Sequence, residues 1–457
     1  MKLMHEIIRK GALFILCTGT AALLPAGCTK EEKPVLSVAP APGTILFGAK
    51  AEESYTFRVR TDQTSWNAFS DQSWCIVTKD AANDTFTVTA RPNDAESAPE
   101  KAVVTVTAGG AQPLTITASQ QGAEYAIYIG GMYLDETTGR MLPCYWKNGV
   151  RTDLPIPDGT EADTTNPTYS VSVSDGSVYV DGSYYISDRN NIIPCYWKDG
   201  IRTDLPLPEG TQKVIAGAFY SSVLDGSIHI IGSLLQDYEA DWSNCYWKDG
   251  VLSDLPASAK NGYLVSIAAA EGAVYIAGAY FDDAVGEYVT GYWKEGNFTG
   301  LDYPAGATNC DPSDIAIPDG SVYVTGNYEI DGRSFCCYWK DGVRTDLPLP
   351  AEIWSPYSRG IAVSEGSVYV GGNYEDKTKR ICCFWKDGAR TDLKLPEGAT
   401  NMYLARLAVA NGSVYIAGEY ATEENTTKGF LWKDGTWLDF GIRAKEYLFL
   451  SLTIVKE

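Results

Sequence analysis

The sequence predicts an all-β protein in which a small β-sandwich is followed by a seven-bladed β-propeller. Three observations lead to this fold class. Short runs with strand character fill residues 34–122, a unit of 46–51 residues then recurs to the end of the chain, and the last segment supplies the strand that the first unit lacks. Repeats of this length with four strands each are typical of propellers.

The segment of residues 34–122 consists of short alternating runs separated by Pro, Gly, Asn and Asp. The runs include YTFRVRT, CIVTK, TFTVTA, KAVVTVTAGG and PLTITASQQG. Alternation of apolar and polar residues is the signature of a strand with one buried face. We therefore predict a β-sandwich domain over residues 34–122 and a propeller over residues 123–457.

Seven tryptophans mark the repeat, each in a run similar to CYWK. They are Trp146, Trp197, Trp247, Trp293, Trp339, Trp385 and Trp432. Each unit divides into an apolar strand a, a strand b such as SVYVDG, a strand c such as CYWK and a strand d such as RTDLPLP. Asp-Gly or a similar pair joins a to b and c to d, which favours tight hairpins and predicts an antiparallel meander.

The two ends of the repeat region complement each other. The region opens with a strand b at residues 125–131, with no strand a before it, and closes with LFLSLTIV, a strand a with no strand b after it. We therefore expect residues 448–455 to pair with the strand near Tyr125. Such pairing would join the ring and remove two exposed sheet edges.

Residues shared by the copies are interpreted as structural. The Gly that ends strand b should admit a close backbone, and an Arg opposite the Trp on strand d should stack on that Trp. The Arg residues are Arg151, Arg202, Arg344 and Arg390. Cysteines that recur two residues before the Trp are expected to be core residues without disulfides, since equivalent positions in successive repeats lie too far apart to be bridged. They are Cys144, Cys195, Cys245, Cys337 and Cys383.

Composition excludes several classes of function. With 58 acidic against 37 basic residues, the net charge is −21, which argues against nucleic acid as a partner. Only His5 and His229 are present, and His229 replaces a Tyr found in the other copies of strand b. This argues against Ser-His-Asp or Cys-His catalysis and against a histidine-based zinc site.

We accordingly expect a protein that is not an enzyme and needs no cofactor. Ca²⁺ is the one ion that the acidic loops suggest, although they contain no EF-hand pattern. The aspartates concerned are Asp135, Asp188, Asp282, Asp283, Asp331 and Asp376.

The N-terminus predicts export and lipidation. Residues 1–27 carry a basic start and an apolar run, as signal peptides do. The LPAGC that follows resembles a bacterial lipobox with Cys28 as the acylated residue. TKEEK, in the charged linker of residues 28–33, resembles the export signal of surface lipoproteins in Bacteroidetes. The resemblance implies a lipid anchor in the outer membrane, with the protein facing the cell exterior and no other contact with the membrane.

Residues 34–122 also resemble the BACON domain of Bacteroidetes surface proteins, on the runs SWNAFSDQSWCIV, TFTVTARPND, KAVVTVTAGG and ITASQQG. The resemblance implies an immunoglobulin-like sandwich that binds carbohydrate or mucin. Trp66 and Trp74 are then candidate sugar platforms, and the alternative is that both belong to the core. The propeller repeat loosely resembles kelch repeats, and similar WKDG repeats occur in Bacteroidetes lipoproteins.

The connections from d to a and from b to c share one face of the predicted propeller and are long and irregular. Binding residues concentrate on such loops. Aromatic residues that break the repeat pattern there are the candidate ligand-binding residues Trp242, Tyr263, Trp354, Tyr357 and Tyr403. We expect non-catalytic binding of a host mucin or dietary glycan. A protein-interaction scaffold or adhesin using the same face, and a glycoside hydrolase or lyase using loop carboxylates, remain as alternatives.

Overall fold

The structure is a computed structural model that describes residues 33–162, 170–186, 191–209, 211, 214, 216–235, 243–260, 262–284, 286–350, 353–423, 426–438 and 447–457. The predicted signal peptide and Cys28 lie outside these residues. The chain divides into two compact units. The first takes the residues up to 92 and residues 99–121, and the second takes residues 93–98 and 122–457.

The first unit contains eight strands in two four-stranded sheets. They are β1 (Leu36–Ala39), β2 (Thr44–Phe47), β3 (Tyr55–Thr61), β4 (Asn67–Ser70), β5 (Cys75–Asp80), β6 (Thr85–Ala90), β7 (Ala102–Thr107) and β8 (Leu114–Gln120). One sheet has the order β1-β3-β6-β5 and the other β2-β8-β7-β4. All pairings are antiparallel except that of β2 with β8.

Alternate residues of both sheets of the first unit form one core. Phe47, Phe86 and Ile116 are fully buried in it. Trp66 belongs to the same core with only 7% of its surface exposed, and Trp74 packs against its edge while its indole N–H donates to the Glu100 carbonyl. The core interpretation therefore holds for Trp66, and Trp74 is partly buried rather than an open platform.

The second unit contains twenty-nine strands and one short helix among its described residues. The first strands are β9 (Tyr125–Asp135), β10 (Arg140–Lys147), β11 (Val150–Asp153), β12 (Glu161–Ala162), β13 (Val171–Ser174), β14 (Ser177–Tyr185), β15 (Ile192–Lys198), β16 (Ile201–Asp204), β17 (Ala216–Leu224), β18 (Ser227–Leu235), β19 (Ser243–Lys248) and β20 (Val251–Ser253). The helix α1 (Ala257–Lys260) follows. No helix in the described part of the chain has the length and apolar character needed to cross a bilayer.

The remaining strands continue the same pattern to the end of the chain. They are β21 (Gly262–Ala270), β22 (Ala273–Asp282), β23 (Glu287–Lys294), β24 (Asn297–Gly300), β25 (Thr308–Ala316), β26 (Tyr323–Ile330), β27 (Arg333–Lys340), β28 (Val343–Asp346), β29 (Trp354–Ser364), β30 (Ser367–Glu375), β31 (Arg380–Lys386), β32 (Ala389–Asp392), β33 (Ala399–Ala410), β34 (Ser413–Thr422), β35 (Thr427–Lys433), β36 (Thr436–Leu438) and β37 (Tyr447–Lys456).

These strands form antiparallel sheets in the order a-b-c-d, which we number along the chain. Sheet 1 is β37-β9-β10-β11, sheet 2 is β13-β14-β15-β16 with β12 also beside β14, sheet 3 is β17 to β20, sheet 4 is β21 to β24, sheet 5 is β25 to β28, sheet 6 is β29 to β32 and sheet 7 is β33 to β36. The all-β prediction and the four-stranded meander are therefore correct.

The a strands contact one another in an order that returns to its start. β37 contacts β13, and the series continues through β17, β21, β25, β29 and β33 back to β37. Within sheet 1, β37 pairs with β9 over its whole length, with Leu452 opposite Ile129. Apolar clusters fill the space between neighbouring sheets, as between sheets 4 and 5, where Trp339 is fully buried.

The Asp-Gly turns explain part of the repeated sequence. In the c–d turn of sheet 2, Asp199 has φ 50° and Gly200 has φ 79°, the region that Gly and Asp tolerate best. The Asp199 carboxylate also accepts a hydrogen bond of 2.9 Å from the Val178 backbone N–H on strand b. The equivalent bond is present in all seven sheets, to Asn148, Asp199, Asp249, Glu295, Asp341, Asp387 and Asp434.

In sheets 2, 3, 5 and 6 the repeated tryptophan bonds to a carbonyl just after strand d of the preceding sheet. The Trp197 indole N–H donates to the Pro155 carbonyl of sheet 1 at 2.9 Å, and the ring is fully buried. Equivalent bonds to a backbone carbonyl join Trp247 to Pro206, Trp339 to Asp302 and Trp385 to Pro348. The Trp of strand c and the run at strand d therefore recur together, because the indole N–H of one sheet donates to a carbonyl in the run of the preceding sheet.

The predicted stacking of arginine on tryptophan is wrong. Arg151 does lie opposite Trp146 in the ladder, but its guanidinium stacks on Tyr133 of strand b, 3.6 Å from the ring centroid. Asp153 directs it there, since this carboxylate pairs with Arg151 and also accepts a hydrogen bond from the Tyr133 hydroxyl. Arg202, Arg344 and Arg390 stack in the same way on Tyr184, Tyr328 and Tyr374.

The five repeated cysteines are free thiols buried between sheets, as the prediction of core residues requires. Burial raises the pKa of each of these thiols. They therefore stay protonated at neutral pH and act as small apolar residues.

Candidate functional site

The candidate site begins at irregularities in the a strands. Register shifts interrupt β21 between Leu264 and Ser266, and β29 between Ser358 and Gly360. The bulge places the strand-a carbonyl against strand b. A Cβ on Gly278 would lie 2.1 Å from the Tyr263 carbonyl oxygen. The lack of space for a Cβ explains why strand b ends in Gly. Bulges of this kind also redirect the side chains beside them.

Four of the predicted site residues lie at the starts of these bulged strands. Tyr263, Tyr357 and Tyr403 occupy equivalent positions, each opposite the residue that follows the strand-b Gly. Trp354 also lies in β29, opposite Glu375. Their placement in loops was therefore wrong, because the bulge breaks the alternation and the strand start looks irregular in sequence. Trp242 lies outside the described residues.

The phenols of Tyr220, Tyr263 and Tyr357, from sheets 3, 4 and 6, interact electrostatically with one another. The exposed fractions of Tyr263 and Tyr357 are 52% and 41%. The pKa of Tyr263 is raised to about 12, mainly by desolvation and to a smaller extent by the phenols of Tyr220 and Tyr357 and the Asp311 carboxylate.

Two arginines lie beside these rings. Arg359 occupies the bulge of β29, and its guanidinium lies 5.2 Å from the centroid of Tyr357. It is exposed and has no ion pair within 4 Å among the residues that the structure describes. Arg406 and Arg359 both oppose the rise that burial causes in the pKa of Tyr220. We call Tyr220, Tyr263, Tyr357, Arg359 and Arg406 the inner-strand site.

Arg406 is held by a network that crosses several sheets. Its guanidinium lies 3.3 Å from the Asp314 carboxylate. Asp314 also accepts hydrogen bonds from the Ser266 hydroxyl at 2.7 Å and from the Ile361 backbone N–H at 3.2 Å. Sheets 4, 5, 6 and 7 therefore share this one carboxylate, which links the bulged starts of their a strands.

Asp181 is a buried carboxyl group on strand b of sheet 2. It has no exposed surface, one oxygen accepts the Ser170 backbone N–H at 2.8 Å, and the other has no hydrogen-bond partner among the described residues. Burial raises its pKa to about 7, although Ser221, Ser170 and Arg406 act in the opposite direction. The other copies carry Gly130, Ile231, Ala277, Thr325, Gly371 and Ala417 at this position.

Sequence reasoning missed Asp181, Asp314, Arg359 and Arg406. Aligning the seven copies would have marked Asp181, because no other copy has a charge there. The two arginines and Asp314 follow irregular strand starts, where the copies cannot be aligned without knowing the bulges.

Tyr403 does not join the inner-strand site. Its ring is half-buried, and the Arg380 guanidinium lies 4.5 Å from its centroid. His229 is a buried residue whose Nδ1 lies 2.6 Å from the Tyr246 hydroxyl, and burial lowers its pKa. It fills the space of the usual Tyr and contributes nothing to the site.

Three of the six aspartates considered for Ca²⁺ accept hydrogen bonds within their own turns. Asp135 accepts the Thr137 N–H, Asp282 accepts the Ala284 N–H and Asp376 accepts the Thr378 N–H. Asp188 lies outside the described residues. No group of three or more His, Cys, Asp or Glu side chains suited to a metal ion occurs in the part of the chain that the structure describes.

Residues 35–123 match the family model described as the viral BACON domain. The match covers the two sheets of the first unit. It assigns that part of the chain to the BACON type of domain and does not extend to the sheets of the second unit.

Solved structures similar to the chain include a xyloglucanase of Bacteroides ovatus in complex with a heptasaccharide, at 22% identity over 19% of each chain, with a TM-score of 0.16. A puromycin-hydrolyzing peptidase of Mycobacterium tuberculosis is 12% identical over 76% of this chain and 51% of its own, with a TM-score of 0.47. The chain thus spans about a fifth of the first structure and about half of the second.

A third similar structure is the β-propeller domain of the Trilobed protease from Pyrococcus furiosus, 9% identical over 85% of this chain and 96% of its own, with a TM-score of 0.31. No curated protein matches the chain. At these identities and TM-scores the solved structures carry no argument about function, which has to come from the site itself.

Proposed function

We propose that the second unit is a seven-bladed propeller that binds carbohydrate without catalysis, and that the inner-strand site is where the ligand lies. The observation that carries this proposal is the exposure of Tyr263 and Tyr357, whose phenols interact electrostatically, together with the exposed guanidinium of Arg359 at 5.2 Å from the Tyr357 ring centroid. Exposed aromatic rings present apolar faces to the C–H groups of a sugar, and a guanidinium with free N–H groups donates to its hydroxyls.

The rigidity of the site supports binding rather than a structural role for these side chains. Tyr263 and Tyr357 lie on strands whose bulges are fixed by a Gly and by the shared Asp314 carboxylate. Side chains held in place before the ligand arrives lose little conformational freedom on binding. A host mucin or a dietary glycan is the proposed ligand class, in line with the BACON resemblance of the first unit.

A glycan array with the protein lacking residues 1–27 tests this proposal. We expect binding to at least one carbohydrate class, and we expect Tyr263→Ala with Tyr357→Ala to weaken it by at least about tenfold, because each ring that covers about 50 Å² of apolar sugar surface contributes roughly that factor. Ile201→Ala, which removes another exposed apolar side chain at a c–d turn, is the matched control. An array without signal would reject carbohydrate as the ligand and leave a protein partner as the explanation of the site.

Hydrolysis of the glycan is a second candidate function, favoured by one partly buried carboxyl group. Burial raises the pKa of Glu419, and Arg359 acts against this shift. A glycosidase needs a general acid that keeps its proton near neutral pH. Release of reducing sugar from a bound glycan, lost in Glu419→Gln, would establish this activity. Binding without release would support the non-catalytic function.

We further propose that acyl chains on Cys28 anchor the protein to the outer membrane with both units outside the cell. The LPAGC and TKEEK runs support this proposal. Cys28→Ala should move the protein from the membrane fraction to the soluble fraction. External protease should degrade the anchored protein on intact cells, and complete protection would contradict the outward orientation.

A further inference from the structure

Sheet 4 carries a second exposed aromatic group, at the tip of its b–c hairpin. Phe281 on β22 and Tyr288 on β23 lie directly opposite each other in the ladder. Their ring centroids are 5.4 Å apart in an edge-to-face arrangement, and their exposed fractions are 46% and 65%. Large aromatic rings rarely remain this exposed as a pair without a partner that covers them.

Sheets 5 and 6 do not have this pair. The equivalent cross-strand pair is Glu329 with Ser334 in sheet 5, and Glu375 with Arg380 in sheet 6. These polar residues suit an exposed strand end, so the fold does not require aromatic rings at this place. Phe281 and Tyr288 therefore differ from the equivalent residues of sheets 5 and 6.

The pair continues the inner-strand site along the same sheet. Tyr263 lies opposite Ala279, and Phe281 follows two residues further along β22. Side chains two residues apart on a strand share a face, so Tyr263, Phe281 and Tyr288 lie on one side of sheet 4. The base of the hairpin is held against sheet 5, since the Thr290 hydroxyl donates to the Cys310 carbonyl at 2.8 Å.

Charge limits the chemistry of the ligand. Asp282, Asp283 and Glu287 surround the hairpin tip, and the chain as a whole carries a net charge of −21. Carboxylates repel an anionic glycan or an anionic lipid surface, and they accept hydrogen bonds from sugar hydroxyls. Aromatic faces with carboxylate acceptors beside them therefore fit a neutral saccharide best.

We propose that Phe281 and Tyr288 form a second stacking surface, so that the ligand is a neutral oligosaccharide chain lying from the inner-strand site to the tip of the sheet 4 hairpin. This inference rests on the proposed carbohydrate binding and specifies its ligand. Two residues along a strand span about 7 Å. One sugar ring does not cover both surfaces, and a chain of two or more units is needed.

Calorimetric titration with a length series of one neutral glycan tests the inference, starting from the single sugar of the strongest array ligand. In the unsubstituted protein, affinity should rise with chain length. Phe281→Ala with Tyr288→Ala should leave the shortest ligand unchanged and weaken the longer chains by about tenfold or more. Tyr288→Thr, a strand-forming substitution, gives a second variant in case the double variant does not fold, and Ile201→Ala is the control.

The outcomes separate the two proposals. Equal affinity of the hairpin variants and the unsubstituted protein for long chains would overturn the second surface and leave the inner-strand site intact. Equal weakening of all lengths, single sugars included, would also overturn it, because the pair would then act on the inner-strand site itself. Failure of the unsubstituted protein to bind any saccharide would overturn the proposed function first.

Discussion

Single residues of the second unit fall into two groups, those that follow the repeat and those that depart from it. Trp197 and Asp199 follow it, and each makes one contact that recurs in other sheets. Tyr263, Tyr357 and Arg359 are not shared by all the copies, and they are exposed in the inner-strand site. The roles of the first group could be predicted from the sequence because repetition itself indicates structure. The roles of the second group could be recognised only from the exposure and the positions of these side chains in the structure.

Asp181 gives a prediction at this scale. Its raised pKa of about 7 means that the folded protein holds a proton between the ordinary carboxyl pKa and pH 7, where the unfolded chain has lost it. The native state then binds more protons, so stability falls as pH rises through this window. Asp181→Asn keeps the size and the acceptor oxygen and should remove this part of the pH dependence.

Thermal unfolding measured from pH 5 to pH 8 checks the prediction. The melting temperature of Asp181→Asn should fall less over this range than that of the unsubstituted protein. Parallel curves for the two proteins would mean that Asp181 is already ionised at the acidic end of the range.

At the scale of elements, the hairpins could be read from the sequence and the starts of the a strands could not. Asp-Gly pairs locate the a–b and c–d turns because few other residues adopt positive φ. A bulge such as that between Pro312 and Asp314 leaves no comparable signal, since it depends on how the strand meets the Gly of its neighbour. The missed elements, β12 and α1, are a two-residue and a four-residue segment that lack any periodic pattern.

Gly326 tests the interpretation of the bulge. A Cβ at this position would lie 2.4 Å from the Asp311 carbonyl oxygen and 3.1 Å from the Trp339 ring. Gly326→Ala should lower the free energy of unfolding by about 1–3 kcal/mol or more, since neither backbone nor buried ring can move away easily. Gly300→Ala, whose nearest neighbour is 4.0 Å away, should change it by less than about 0.5 kcal/mol. Chemical denaturation of both variants measures the difference, and equal stability would contradict the close approach.

At the scale of the whole molecule, the pairing of the two ends of the second unit follows from counting strands in the sequence. The region begins with strand b and ends with strand a, and β37 does lie beside β9. Counting the a and b strands predicted this pairing because an unpaired strand edge is unfavourable, so the first b strand needs an a strand from elsewhere in the chain. The inner-strand site could not be obtained in this way, since it combines residues from strands that are far apart in sequence.

Deletion of residues 447–457 tests how much the second unit depends on this pairing. The deletion would expose the edge of β9 and remove the buried side chains of Phe449 and Leu452. We expect aggregation or a strongly lowered melting temperature in size-exclusion and thermal unfolding experiments. Glu457→Gln, which removes only a surface ion pair with Lys147, should behave like the unsubstituted protein. A monomeric deletion variant with unchanged melting would contradict the role given to β37.

The central claim is that the exposed tyrosines and arginine at the starts of the a strands bind carbohydrate. A crystal structure of the protein with the strongest glycan from the array tests it most directly. The account predicts sugar rings against Tyr263 and Tyr357, with a hydroxyl accepting from Arg359. Sugar bound at the c–d turns or on the first unit, with these three side chains uncovered, would contradict it.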